Sequence, residues 1–152
     1  MSEATTEQQF IDALQVLERD REPTQMIGLF TENSETGNVV SSREFCCEKL
    51  CLSCRGGAPP GHGHSGSDGA RAFWVTYRNT FGEVASSFRN VIVGDGRAAL
   101  EWTTTGTSPT GAPIAYEGVS ILEMADGKIT RFRAYFDSHD LGLQIEQAAQ
   151  KR

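Results

Sequence analysis

The stretch Lys128-Ile129-Thr130-Arg131-Phe132-Arg133-Ala134-Tyr135-Phe136-Asp137 decides the fold. It follows a tight-turn signal, Asp126-Gly127, and alternates aromatic or small residues with basic ones. Alternation with period two predicts a strand whose two faces meet different surroundings. Phe132, Ala134 and Phe136 share one face, and Arg131, Arg133 and Tyr135 share the other. Such a strand is suited to lining a pocket on its apolar side.

Upstream of this strand, the chain reads as a meander. Val84, Phe88 and Ile92 alternate with polar residues up to the turn Gly94-Asp95-Gly96. Strands are predicted from Arg97 to Thr107 and from Ile114 to Met124, separated by the turn Ser108-Pro109-Thr110-Gly111. Toward the N-terminus, Phe10, Ile11, Leu14 and Leu17 fall on one face of a helix over Thr6–Asp20, with Thr6 and Gln9 as a capping-box pair. Pro23 opens a second, short helix carrying Met26, Ile27, Leu29 and Phe30, and Glu35–Val40 is a strand. Ser67 or Asp68 caps a third helix with Phe73, Trp74, Tyr77 and Phe81 as its aromatic stripe, for which core packing is the simpler reading. A closing helix is expected over Asp140–Lys151.

This order predicts an α+β fold, a curved antiparallel sheet wrapped around helices packed into its concave side. At 152 residues the chain is expected to be one domain with a core of its own. Its net charge of −6 and the absence of any Lys/Arg block argue against nucleic acid or an anionic membrane as partner. No stretch reaches the roughly 20 apolar residues of a membrane span. The polar, acidic start MSEATTEQQF lacks the apolar core of a signal peptide, so a cytoplasmic location with reduced thiols is expected.

The spelling KITRFRAYFD, with Leu29-Phe30-Thr31-Glu32-Asn33 and the segment Glu101 to Asp137, resembles the cone-shaped superfamily of nuclear transport factor 2, ketosteroid isomerase, SnoaL-like polyketide cyclases and limonene-1,2-epoxide hydrolase. The resemblance implies a deep apolar cavity for a small organic ligand, no cofactor, and a homodimer formed through the sheet. This superfamily holds enzymes and non-enzymes alike, so it does not imply a reaction. The hydrolase family activates water with an Asp–Arg–Asp set, helped by a Tyr and an Asn. Asn38 matches that Asn, Thr36 stands in place of the Tyr, and Glu101 falls near the first Asp. Ala99 occupies the Arg position and Ala134 the second Asp position. A methyl group neither takes nor gives a proton, which speaks against epoxide hydrolysis by that route.

Glu101 and Asn38 are therefore the candidate catalytic pair for isomerase, cyclase or hydratase chemistry. Thr36, Trp74, Tyr77, Thr103, Tyr116, Phe132 and Phe136 are the candidate ligand contacts. Glu101 has two readings: a carboxylate in the cavity, activated by desolvation, or an outward residue with Leu100 and Trp102 facing inward. Alternation alone does not choose between them. Asp137-Ser138-His139 reads better as a helix cap than as an oriented base. A non-catalytic ligand-binding or assembly module is the alternative function.

Residues 41–69 break the periodic pattern and form an atypical insert. Cys46, Cys47, Cys51 and Cys54 cluster there, followed by His62 and His64. Thiolates and imidazoles at short spacing suit zinc, but the Gly/Pro-rich gap between them offers no core to fold around a metal. A functionally silent loop is the preferred reading, with metal binding second and a disulfide third. No metal site is assigned.

Overall fold

The computed structural model describes residues 5–39 and 64–137, together with Leu141 and Gln144. Its helices are α1 (Thr6–Asp20), α2 (Thr24–Ile27) and α3 (Gly66–Asn79). Its strands are β1 (Phe30–Val39), β2 (His64–Ser65), β3 (Val84–Gly94), β4 (Arg97–Thr107), β5 (Pro113–Ala125) and β6 (Lys128–Phe136). They form one curved, open sheet in the order β2-β1-β6-β5-β4-β3. All neighbours run antiparallel except β1 and β6, which run parallel, with Asn38 beside Ala134.

The hairpins form where the sequence predicts them. Asp95 and Gly96 have φ of 52° and 71°, and Asp126 and Gly127 have 53° and 76°. Two successive positive φ values let a two-residue turn match the right-handed twist of its strands. One face of the sheet is covered by α1 and α3. Phe10, Ile11, Leu14 and Leu17 of α1 pack with Phe73 and Trp74 of α3 and with Leu100, Leu122, Ile129 and Phe132 from the sheet.

Several boundaries differ from the expectation. Leu29 and Phe30 belong to no helix: α2 closes at Gly28, and β1 begins at Phe30, opposite Ile129. The N-cap of α1 is Thr5, without a side-chain capping bond, rather than a Thr6–Gln9 box. Within the expected insert, His64–Ser65 pairs with Thr36 and Glu35, and α3 starts at Gly66. The cysteines and His62 lie outside the described residues, as do Ser138, His139 and most of the expected closing helix. Leu141 and Gln144 are helical. The Leu141 N–H donates to the Asp137 carbonyl at 3.2 Å, which puts Asp137 at a helix N-cap position.

Ile92 also departs from its predicted face. The register slips between Phe88 and Asn90, so Phe88 opposes Trp102 while Ile92 opposes Ala99. This bulge inserts one residue and reverses the parity of everything after it. Ile92 is consequently 68% exposed on the outer face.

Candidate functional site

A cavity lies between α1, α3 and the inner face of the sheet, with about 60 Å³ open to the centre of a water molecule. That is room for several ordered waters. Its walls are largely aromatic. Trp74 is in ring contact with Phe73, Phe132 and Tyr77, and Trp102 with Tyr116 and Phe136. The Trp102 ring lies against Gly118, where a Cβ would come within 2.7 Å of it and 2.4 Å of the Tyr135 carbonyl oxygen. A side chain at position 118 would therefore push this wall out of place.

Strand register arranges the polar groups in two rows. One runs Asn38, Ala134, Ser120 across β1, β6 and β5. Asn38 and Ser120 stand about 10 Å apart, two strand spacings, with the small Ala134 between them as the cavity floor. The Ser120 hydroxyl accepts the Trp102 Nε1–H at 2.9 Å. The second row is Tyr116, Thr104 and Ser86 on β5, β4 and β3. Between them lies a belt of Phe136, Gly118, Trp102 and Phe88.

The second row ends on a buried carboxylate that the sequence reading did not single out. Glu18, only 4% exposed, accepts the Tyr77 hydroxyl at 2.8 Å and the Ser86 hydroxyl at 2.6 Å on Oε2. Its Oε1 accepts the Ser86 backbone N–H at 3.0 Å. The Ser86 and Thr104 hydroxyls are 2.7 Å apart. Burial holds the Tyr77 phenol well above its usual range, reinforced by Tyr116 and by the Glu18 charge. Burial raises Tyr116 as well, again with Glu18 behind it. Both therefore remain protonated donors. The buried Arg78 guanidinium clamps the same corner, donating to the carbonyls of Glu18, Phe81 and Gly82.

Of the expected site residues, Asn38, Trp74, Tyr77, Tyr116, Phe132 and Phe136 line the cavity. Thr36 is buried behind Phe132, its cross-strand neighbour, without lining the space. Its hydroxyl, like Ser34 Oγ and Trp74 Nε1, is buried with no hydrogen-bond partner among the described residues. Two placements are corrections. Glu101 and Thr103 point to the outer face, because the inward set on β4 is Ala98, Leu100, Trp102 and Thr104. The Glu101 carboxylate accepts Asn90 Nδ2–H at 2.7 Å and lies 3.6 Å from Arg89 Nε, with 41% of its side chain exposed. Sequence reasoning missed Glu18, Ser86 and Thr104. The available signal was Glu18 itself, four residues after Leu14 and seven after Ile11, on the apolar stripe of α1. Among the described residues no group of three His, Cys, Asp or Glu side chains is placed to hold a metal.

No curated protein matches the chain. Solved structures share its fold. A proposed isomerase from Rhodopseudomonas palustris is 19% identical, with a TM-score of 0.72 and full coverage of both chains. TerC, crystallised with polyporic acid, is 22% identical with a TM-score of 0.67, covering 90% of this chain and 97% of its own. A proposed polyketide cyclase from Bacillus cereus is 17% identical with a TM-score of 0.62, covering 93% and 78%. In sequence, residues 52–132 match the SnoaL-like domain. That match spans more than half of the chain and takes in the cavity-facing residues of β3, β4 and β5, so the protein belongs to the SnoaL-like domain family.

Proposed function

We propose that the protein binds a compact, mainly apolar organic molecule in the cavity between its helices and its sheet. The observation that carries this reading is a space walled by aromatic rings into which a few polar groups converge, the usual composition of a small-molecule site. Asn38 would orient a carbonyl or water of the ligand, with Trp74, Tyr77, Tyr116, Phe132 and Phe136 around its apolar body. TerC, a fold relative co-crystallised with polyporic acid, lends support.

The test is a thermal-shift screen of small aromatic compounds, repeated on Ala134→Leu. The larger side chain would fill the floor between Asn38 and Ser120. Hits that stabilise the parent protein should lose their effect in this variant. Equal shifts in both proteins would place binding elsewhere.

Binding without turnover is the better-supported form of this proposal. Both oxygens of the carboxylate at the cavity end already accept hydrogen bonds, and the carboxylate on β4 faces away. Isomerase, cyclase or hydratase chemistry would have to recruit Glu18 through Tyr77 or Ser86.

A homodimer through the outer sheet face is proposed with it. There Ile92, Ala99 and Ile121 are adjacent in register, between the ion-paired row Glu35, Arg131, Glu123, Arg97 and the group Arg89, Glu101, Glu117. Sedimentation of Ile121→Glu, expected to be monomeric, checks this. A cytoplasmic location is the setting we propose; no helix among the described residues is long and apolar enough to cross a membrane.

A further inference from the structure

We infer that the ligand is a compact ring bearing two hydrogen-bond-accepting oxygens on opposite edges, one held by Ser120 and the other by Asn38. The inference rests on the binding proposal and names the ligand class.

Ser120 is committed by its neighbour. Its hydroxyl accepts the Trp102 Nε1–H at 2.9 Å, and an indole N–H can only donate. The Ser120 proton is left over, and no acceptor takes it among the described residues. On the far side of Ala134, the Asn38 amide lines the same cavity, with its N–H protons unclaimed among the described residues. Trp74 Nε1–H adds a further donor with no partner among the described residues. An enclosed donor without an acceptor is rarer in proteins than an acceptor with a spare lone pair. The Thr104 and Tyr116 hydroxyls, toward Glu18, can give or accept and so fit either kind of ligand group.

Spacing sets the number of oxygens. One oxygen serving both donors would need them within about 6 Å of each other, since each bond spans about 3 Å. Asn38 and Ser120 start about 10 Å apart on the sheet, with only the Ala134 methyl between them. Two oxygens on opposite edges of one ring close that distance, with the ring lying over Ala134 between the aromatic walls.

Titration calorimetry on the full chain with 1,4-dimethoxybenzene, 1-ethyl-4-methoxybenzene and 1,4-diethylbenzene tests the idea. A methylene replaces one oxygen at each step, so the shape is kept and none of the three can donate. The 1,3-isomer of the diether holds the same two oxygens at the wrong spacing, and the 1,4-isomer should bind at least about fivefold more tightly. In Asn38→Leu the affinity ratio of diether to hydrocarbon should fall about fivefold. The monoether is free to turn toward Ser120, so its ratio should change by less than about twofold. Ser120→Cys keeps an acceptor for Trp102 and offers only a weak donor, so the same pattern is expected there. Equal or tighter binding of the 1,3-isomer to the parent protein would overturn the inference, as would ratios unchanged in the folded variants. A monoether ratio that falls as far as the diether's would overturn it too, because one oxygen would then serve both donors. If all four compounds bind alike, the two-oxygen rule fails and the cavity proposal stands. If none binds, both fall.

Discussion

Glu18 and Glu101 are two carboxylates on opposite sides of one sheet. Glu18 sits on a helix, under the inner face, with both oxygens held by Tyr77 and Ser86. Glu101 sits on the sheet itself, yet its carboxylate lies among Arg89, Asn90 and solvent. Proximity to the cavity in sequence and proximity in space are thus different things. A strand offers every second residue to the inside, whereas a helix packed on that strand can deliver a charge from a distant part of the chain. The buried carboxylate is held by hydrogen bonds whose loss leaves donors stranded, while the outer one exchanges ion pairs for water at little cost.

That contrast can be broken experimentally, starting with its strongest side. Glu18→Ala would leave the Tyr77 hydroxyl and the Ser86 backbone N–H without an acceptor, while the Ser86 hydroxyl can turn to Thr104, and should destabilise the fold by about 3 kcal/mol in chemical denaturation. A loss under about 1 kcal/mol would mean that the corner repacks or fills with water. Next in size is the response to alkali. The folded state holds Tyr77 and Tyr116 protonated above the ordinary value of 10.0. The unfolded chain therefore releases these protons first. The stability they contribute is whole below pH 10 and drains away above it, by up to about 1.4 kcal/mol per pH unit for each tyrosine. Urea midpoints measured from pH 9 to 11 should fall accordingly, and Tyr116→Phe should flatten the slope.

Smaller effects sharpen the comparison. Tyr77→Phe removes one donor while Ser86 continues to hold Glu18, so a loss of about 1 kcal/mol is expected by the same denaturation assay. Glu101→Gln should change stability by less than about 0.5 kcal/mol and leave ligand affinity as it was. A tenfold loss of affinity in that variant would restore Glu101 to the site and reverse the contrast.

The architecture was legible because the meander announces itself. Turn residues with positive φ, Asp95-Gly96 and Asp126-Gly127, separate strands with clean alternation, and the inward set Phe132, Ala134, Phe136 is the one the period predicts. The site was legible only in part. Aromatic residues on α3, β5 and β6 could be placed, but alternation on β4 does not say which face is inside, so Glu101 and Trp102 competed on equal terms. The bulge at Arg89 and Asn90 leaves no trace in a period-two pattern, and it moved Ile92 to the surface. Glu18 escaped because a single charge on an apolar helical stripe resembles the edge of that stripe. Its partners come from α3 and β3, 59 and 68 residues further along.

The parallel pairing of β1 with β6 has a consequence for the making of the protein. Lys128, at the start of β6, donates to the carbonyl of Gly28, 100 residues earlier, and Phe30 lies beside Ile129. On the ribosome, β3, β4 and β5 can zip together as they emerge, but β1, paired until then only with the two-residue β2, joins them only through β6. Until then its inner face, with Ser34, Thr36 and Asn38, lacks the strand that encloses it. Closure over such a sequence separation is slow relative to hairpin formation. The cavity, with Asn38 on one side of Ala134 and Ser120 on the other, therefore cannot close until β6 has left the exit tunnel.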